Sequence, residues 1–298
     1  MKKIVLTIDN SFQMMPPIIG ALKNINSPYH SKKNLPHPEI LISSKWKELV
    51  KRIDTFLNTY DTYDKLVRTK FPRYPHSLPK NSFPNLEDVL NSYKNILYDS
   101  TELLEKLYTD LKACLLTEEE ISKWSNPPKK WRDHPSIVCN RLKHNHNLLV
   151  PVEGYYQFGI VRGYGVCHYV NDCIIHNENI HPDKIPFSFG TDLRRILAHI
   201  YLAADWCTTQ IKMTIPNSNA SFQISPPRPE DEAFLQSVSS FMPLTFHHSN
   251  RSTNMPIFKY ENQRLTICNT GGSIIPTGSG VISTIINGDG RTRTFSFF

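Results

Sequence analysis

The chain reads as an α+β protein: an N-terminal helical bundle carrying a β-hairpin insert, followed by a small β-rich C-terminal domain. Three patterns predict this. Two long segments, 40–71 and 85–116, repeat apolar residues at helical spacing. The period then turns from helical to alternating over Gly154–Ile175, and returns to helical over 192–210. Beyond residue 216 the chain is turn-rich and alternates again.

The elements follow in order. Residues 3–8 read as a short buried strand that can pair with the C-terminal tail. Residues 16–39 form a loop holding Pro16, Pro17, Pro28, Pro36 and Pro38. The first long helix carries the stripe Leu41, Trp46, Leu49, Ile53, Phe56, Leu57 and Tyr60. Pro72, Pro75, Pro79 and Pro84 stiffen the connection to the second, whose stripe includes Leu86, Val89, Leu90, Tyr93, Ile96 and Leu97. Two long helices joined in this way pack antiparallel. Thr117 and Glu120 form a capping-box pattern that starts a short helix over 118–124, which Asn126-Pro127-Pro128 ends.

Pro135 suits the first turn of a third main helix, 134–147. The hairpin Gly154–Ile175 turns near Arg162-Gly163-Tyr164-Gly165, and a loop over 176–190 follows it. Thr191 or Asp192 caps the fourth main helix, 192–210. Its stripe is Leu193, Ile196, Leu197, Ile200, Tyr201 and Ala204. The Pro/Ser/Asn stretch 216–229 is the best boundary in the chain. It divides residues 1–39 and the bundle 40–215, with the insert at about 150–190, from the β-rich domain 216–298. That last domain opens with a short helix over 230–240. Strands follow at 257–260, 265–268, 281–286 and, across the turn 287–290, at 292–297.

Hydrophobic content of 39% and charged content of 20% support a buried core and exclude a disordered chain. The longest apolar runs fall short of the roughly 18 residues a membrane span needs. The run Ile4–Ile8 stops at Asp9, too early for a signal peptide. The six cysteines are scattered with no CxxC pair, as expected of reduced thiols in a cytoplasmic protein.

The net charge is +7, and its distribution is more informative than its total. Residues 1–150 hold 23 Lys and Arg against 16 Asp and Glu, whereas residues 151–298 hold 11 of each. Within 123–146 six basic groups face a single acid, Asp133. Such an excess attracts polyanions through a salt-sensitive term. The third helix concentrates it, with Lys129, Lys130, Arg132, Lys143 and His144 as candidate nucleic-acid contacts. On the same helix Arg141 and His146 stand at the spacing Arg-x4-His, beside Asn140. Arginine supplies a permanent, fork-shaped cation for phosphate, and histidine moves protons near neutral pH. These groups permit attack on an RNA phosphodiester without a metal. Two further Arg/His pairs, Arg194…His199 and Arg162…His168, have similar spacing.

Several long helices in a bundle, the Arg141…His146 pair on a late helix, and Lys143-His144-Asn145 beside it resemble the HEPN superfamily, the higher eukaryote and prokaryote nucleotide-binding domain, over roughly residues 40–210. The resemblance implies an RNA-directed protein, a metal-independent endoribonuclease of an antiviral defence or toxin-type system. It implies a homodimer in which two such pairs share a site. Arg141 would then stabilise phosphate charge, His146 would transfer protons and Asn140 would support them, with no cofactor. Leu142 stands where active members usually carry a polar residue. The alternative is a non-enzymatic interaction subunit that binds a protein partner.

Other constellations are weaker. Cys139, His144 and His146, and separately Cys167, His168, Cys173, His176 and His181, have zinc-type donors, but their spacing fits no tight zinc knuckle and no metal is expected. His247-His248 reads as part of a polar loop. Thr277-Gly278-Ser279-Gly280 lacks the Lys-Ser/Thr of a phosphate-binding loop, and no nucleophile elbow or kinase signature occurs.

Overall fold

The computed structural model describes residues 5–8, 19, 22, 36–70, 86–156, 159–170, 173–182, 185–214, 229–241, 246, 254–262, 264–272 and 281–284. The fold is α+β. Helices α1 (Pro38–Lys70) and α2 (Leu86–Glu105) form its backbone. Trp46, Leu49, Ile53, Phe56 and Tyr63 of α1 are buried, as are Val89, Tyr93, Ile96, Leu97 and Leu104 of α2, so each helix spends one stripe on the core. Lys45 pairs with Glu102 and Arg52 with Asp99. As α1 advances its partners on α2 recede, so the two run antiparallel, as expected.

The second helix does not continue unbroken to 116. A π-helical turn, Lys106–Asp110, separates α2 from α3 (Leu111–Leu115). The widened turn fits a local purpose. Leu107 O accepts from Cys207 Sγ, and the Tyr108 hydroxyl donates to Pro128 O at 2.7 Å. Tyr108 thereby ties down the Pro127-Pro128 turn. The capping box is present: Thr117 Oγ1 accepts from Glu120 N and the Glu120 carboxylate accepts from Thr117 N, opening α4 (Glu118–Lys123).

Helix α5 spans Lys130–His144, so Pro135 lies inside it and not in its first turn. The tethered Pro128 explains the early start, because Trp131 N and Arg132 N bond to Pro128 O and Lys129 O. Pro135 contributes no N–H to the carbonyl one turn back, a local loss the well-buried Trp131 and Val138 outweigh. The helix also ends sooner than 147. Asn147 Nδ2 reaches Arg141 O and Asn145 O, and His146 adopts φ 51°, which sends the chain into strand β2 (Leu148–Tyr156).

Strand β3 (Gly159–Val170) pairs with β2 in register up to Tyr156↔Gly159. Arg162-Gly163-Tyr164-Gly165 is therefore mid-strand and not a turn. Gly163 is there for close approach. A Cβ on it would lie 1.8 Å from the carbonyl oxygen of Phe187, because the short strand β5 (Phe187–Ser188) crosses directly over it. β4 (Cys173–His176) pairs on the other side of β3, and β8 (Val281–Thr284) pairs with β2.

Helix α6 (Phe189–Thr214) starts before Thr191. Ser188 Oγ accepts from Thr191 N and serves as the cap, which leaves Asp192 inside the first turn for another role. Helix α7 (Pro229–Ser240) and strands β6 (Asn254–Glu261) and β7 (Arg264–Gly272) follow. β1 (Val5–Ile8) pairs antiparallel with β7, Val5 opposite Cys268, as the sequence allowed. Tyr201 of α6 meets Phe258 of β6 edge to face at 5.7 Å. One apolar cluster includes Ile53, Tyr93, Ile196, Phe234 and Ile267. Cys114, Cys139, Cys167, Cys207 and Cys268 are buried thiols.

No described helix is long and apolar enough to cross a membrane. The stretches 71–85, 215–228 and 285–298, the loop 247–253 and the segment 273–280 lie outside the described residues, and with them the linker, the 287–290 turn, the last strand, His247-His248 and Thr277–Gly280.

Candidate functional site

Helix α5 carries its polar residues on two flanks of its buried face, which Trp131, Pro135, Val138 and Cys139 define. At about 100° per residue, Lys129, Arg132, Asn140 and Lys143 fall on one flank. That flank faces α2: Arg132 lies over the Tyr108 ring at 5.2 Å and Lys143 over Tyr98 at 5.1 Å. Lys130, His134, Ile137, Arg141 and His144 fall on the other flank. Asn140, His144 and His146 are exposed, and Arg141 is half-buried. His146 leaves the helix altogether, so Arg141 and His146 do not share a helical face.

His134, not His146, is the histidine that the fold brings to an acid and an arginine. His134 Nε2 lies 2.7 Å from Asp192 Oδ1. Arg195, one turn along α6 from Asp192, donates from Nη2 to the same carboxylate oxygen, and this nitrogen also lies 2.7 Å from His134 Nε2. The other carboxylate oxygen, Oδ2, accepts from the Tyr93 hydroxyl at 2.9 Å and the Tyr164 hydroxyl at 2.5 Å. Asp192 is fully buried, so its charge depends on these four partners. They come from α2, α5, β3 and α6, and no sequence spacing links them.

The electrostatics follow from this arrangement. Burial opposes the charged form of Asp192, but the His134 ring and the Arg195 guanidinium outweigh it and hold the carboxyl far below the usual range. Burial and then Arg195 push the His134 pKa down, against the pull of Asp192, so the ring is neutral at neutral pH. If Nε2–H is donated to Asp192, Nδ1 carries the lone pair. Nδ1 has no hydrogen-bond partner among the described residues. Phe187 forms the base of the site: its ring lies 4.7 Å from His134, 4.6 Å from His181 and 5.5 Å from Tyr164, with the Arg195 guanidinium at 5.1 Å.

His199 lies one further turn along α6. Burial first, and then Arg195, His134 and Lys130, push its pKa down to about 3. Among the described residues its Nδ1 has no hydrogen-bond partner, and neither does Arg195 Nε. The α5/α6 contact thus gathers Lys130, His134, Arg195 and His199, with Arg141 two turns further along the α5 flank. His134 retains 14% and Arg195 19% side-chain exposure.

Two of the zinc-type donors are otherwise engaged. His181 Nε2 accepts from Val166 N and its Nδ1 pairs with Ile185 O, while Cys139 Sγ takes a hydrogen bond from Thr101. Among the described residues no group of three His, Cys, Asp or Glu is placed to hold a metal.

Sequence reading passed over Asp192 as a cap, over Tyr93 as core and over Tyr164 as a turn residue. The only available signal was the Arg-x4-His spacing of Arg194 and His199. The fold replaces Arg194 with its neighbour, because Arg194 Nη2 is spent on Ser239 O and Phe241 O at the end of α7. No family model, no curated protein and no solved structure matches the chain.

Proposed function

We propose that this chain is an RNA-directed, HEPN-like protein whose α5/α6 crevice cleaves RNA without a metal ion. One observation carries the reading: a histidine paired with a buried aspartate, beside an arginine, on the basic flank of α5. Asp192 fixes the His134 ring as the aspartate of a triad fixes its histidine. His134 Nδ1 would take the proton of a ribose 2′-hydroxyl as that oxygen attacks the adjacent phosphorus and expels the 5′-oxygen. Arg195 and Lys130 would stabilise the charge that builds on the phosphate. The Arg195 Nε–H, unpaired among the described residues, suits an anionic acceptor. An incoming phosphate also offsets the Arg195 and Lys130 charges that add to burial in lowering the His199 pKa, so it raises that ring's proton affinity and readies it to protonate the leaving oxygen.

Arg141 and His144 continue the cationic flank of α5 beyond His134 and are proposed to track the RNA backbone. Ile137, 46% exposed between His134 and Arg141, is proposed to lie at a homodimer contact that brings two crevices together.

A second reading has its own support. Asp192 is saturated by four donors and fully buried, which also fits a clasp that only holds α2, α5, β3 and α6 together in a non-enzymatic interaction subunit. Incubation with RNA in EDTA separates the two. Cleavage by the wild type, abolished in His134→Ala and retained in His146→Ala, supports the catalytic crevice. Absence of cleavage in chelator, or loss only in His146→Ala, overturns it.

A further inference from the structure

A cleft of about 650 Å³ opens between α1, α7 and the start of β3, away from the α5/α6 crevice. Leu57, Tyr60, Ile160 and Phe241 make its walls apolar, and Asn58 and Ser237 bring polar groups to it. Arg162 closes its inner end, with a side chain only 1% exposed.

The guanidinium is held on every side but one. Nε donates to Glu153 Oε1 at 2.6 Å, and Nη1 donates to Asp64 Oδ1 at 2.5 Å. The rings of Tyr63 and Tyr60 lie 5.0 and 5.6 Å from its centre. Nη2 is buried and has no hydrogen-bond partner among the described residues. A buried donor left unpaired is costly.

The surroundings restrict what can pair with it. Two carboxylates already surround the single cation, and Asp61 adds a third to the cleft wall. A phosphate or carboxylate is therefore repelled, and the missing acceptor must be neutral. Tyr60 and Phe241 meet edge to face at 4.8 Å, a surface that takes a flat ring. The volume falls in the range of small-molecule sites.

We propose that this cleft binds a neutral heteroaromatic ring bearing a carbonyl, of the nucleobase class, with Arg162 Nη2 donating to the carbonyl and the ring lying against Tyr60 and Phe241. The inference does not rest on RNA cleavage, because a nucleoside carries no phosphate.

Calorimetric titration of the full chain with uridine, guanosine and adenosine tests it, alongside uridine monophosphate. Uridine or guanosine should bind at least about tenfold more tightly than adenosine, which has no ring carbonyl. The monophosphate should bind no more tightly than its nucleoside. Ser237→Trp, an exposed helix position whose new ring fills the cleft, should abolish binding while keeping the wild-type thermal midpoint. Phe241→Ala should weaken binding about tenfold. Equal affinity for adenosine, preference for the phosphate, undiminished binding in a folded Ser237→Trp, or no binding of either carbonyl nucleoside at millimolar concentration would each overturn the proposal.

Discussion

His134 Nε2 and Asp192 Oδ1, 2.7 Å apart, join α5 to α6 at a buried carboxylate that four elements share. Asp192→Asn keeps the shape and removes the charge. Arg195 would then be left half-buried without its counter-ion, and the His134 tautomer would no longer be fixed. Breaking a buried pair in this way costs about 3–5 kcal/mol. Urea unfolding should show a loss of that size. RNA cleavage, measured where the variant remains folded, should fall by at least about 100-fold, whereas a wild-type rate in this variant would rule out His134 as the base.

Acid should destabilise the chain from near pH 6.5 downward. His181 is pushed down to about 4 and His199 to about 3, each mainly by burial. Histidine in the unfolded chain titrates near 6.5. The unfolded state therefore takes up protons first as pH falls. The contribution is complete above about 6.5 and is lost progressively towards the two folded values. At about 1.4 kcal/mol per pH step, each ring costs about 2 kcal/mol by about pH 5. Asp192 stays ionised across this window and does not offset the loss. Urea midpoints at about pH 7 and about pH 5 should show the drop, and His199→Leu should remove roughly half of it. A flat profile would mean that these rings are solvated. Cleavage should fail only below the ordinary histidine range, since His134 lies below its usual value and must be neutral to act.

Local signals and long-range contacts were unequally legible in the sequence. The stripes of α1, α2 and α6 and the Thr117/Glu120 capping box are written in short-range spacing, and each appears where expected. The start of α5 was not, because it depends on Tyr108 reaching Pro128 from a π-helical turn. Gly163 and Gly165 resemble turn residues until β5 is seen crossing over Gly163. Apart from Arg195, one turn along α6, the Asp192 cluster is non-local. Its two tyrosines have the burial of core residues and its aspartate has the position of a helix cap, so neither pattern advertises a polar site.

Gly163 should be intolerant of any side chain. A Cβ there meets the Phe187 carbonyl oxygen at 1.8 Å and Ser188 Cα at 2.7 Å, both backbone atoms that cannot rotate away. Gly163→Ala must therefore push β5 off β3. Phe187 would move with it, withdrawing the ring that His134, His181 and Arg195 pack against. Overpacking of this kind costs about 1–3 kcal/mol and here falls at its upper end or beyond. Gly165→Ala is the comparison. Equal stability of the two variants would show that β5 does not need the gap.

The cationic flank of α5 should bind RNA separately from the chemistry. Lys130, His134 and Arg141 lie along one side of the helix, with Arg141 about 10 Å beyond His134 at about 1.5 Å per residue. Arg141 is half-buried and its amide neighbours are exposed, so it can meet a phosphate without rebuilding the helix end. Each phosphate contact releases condensed counterions, with a slope of about −0.7 per contact on single strands. Arg141→Ala should therefore lower affinity across unrelated RNA sequences and reduce the salt slope by about one contact. His134→Ala should leave both the affinity and the slope nearly unchanged while abolishing cleavage. Salt titrations of the two variants by fluorescence anisotropy give the answer. If Arg141→Ala alters neither quantity, RNA does not run along this flank, and the crevice must be entered from the α6 side.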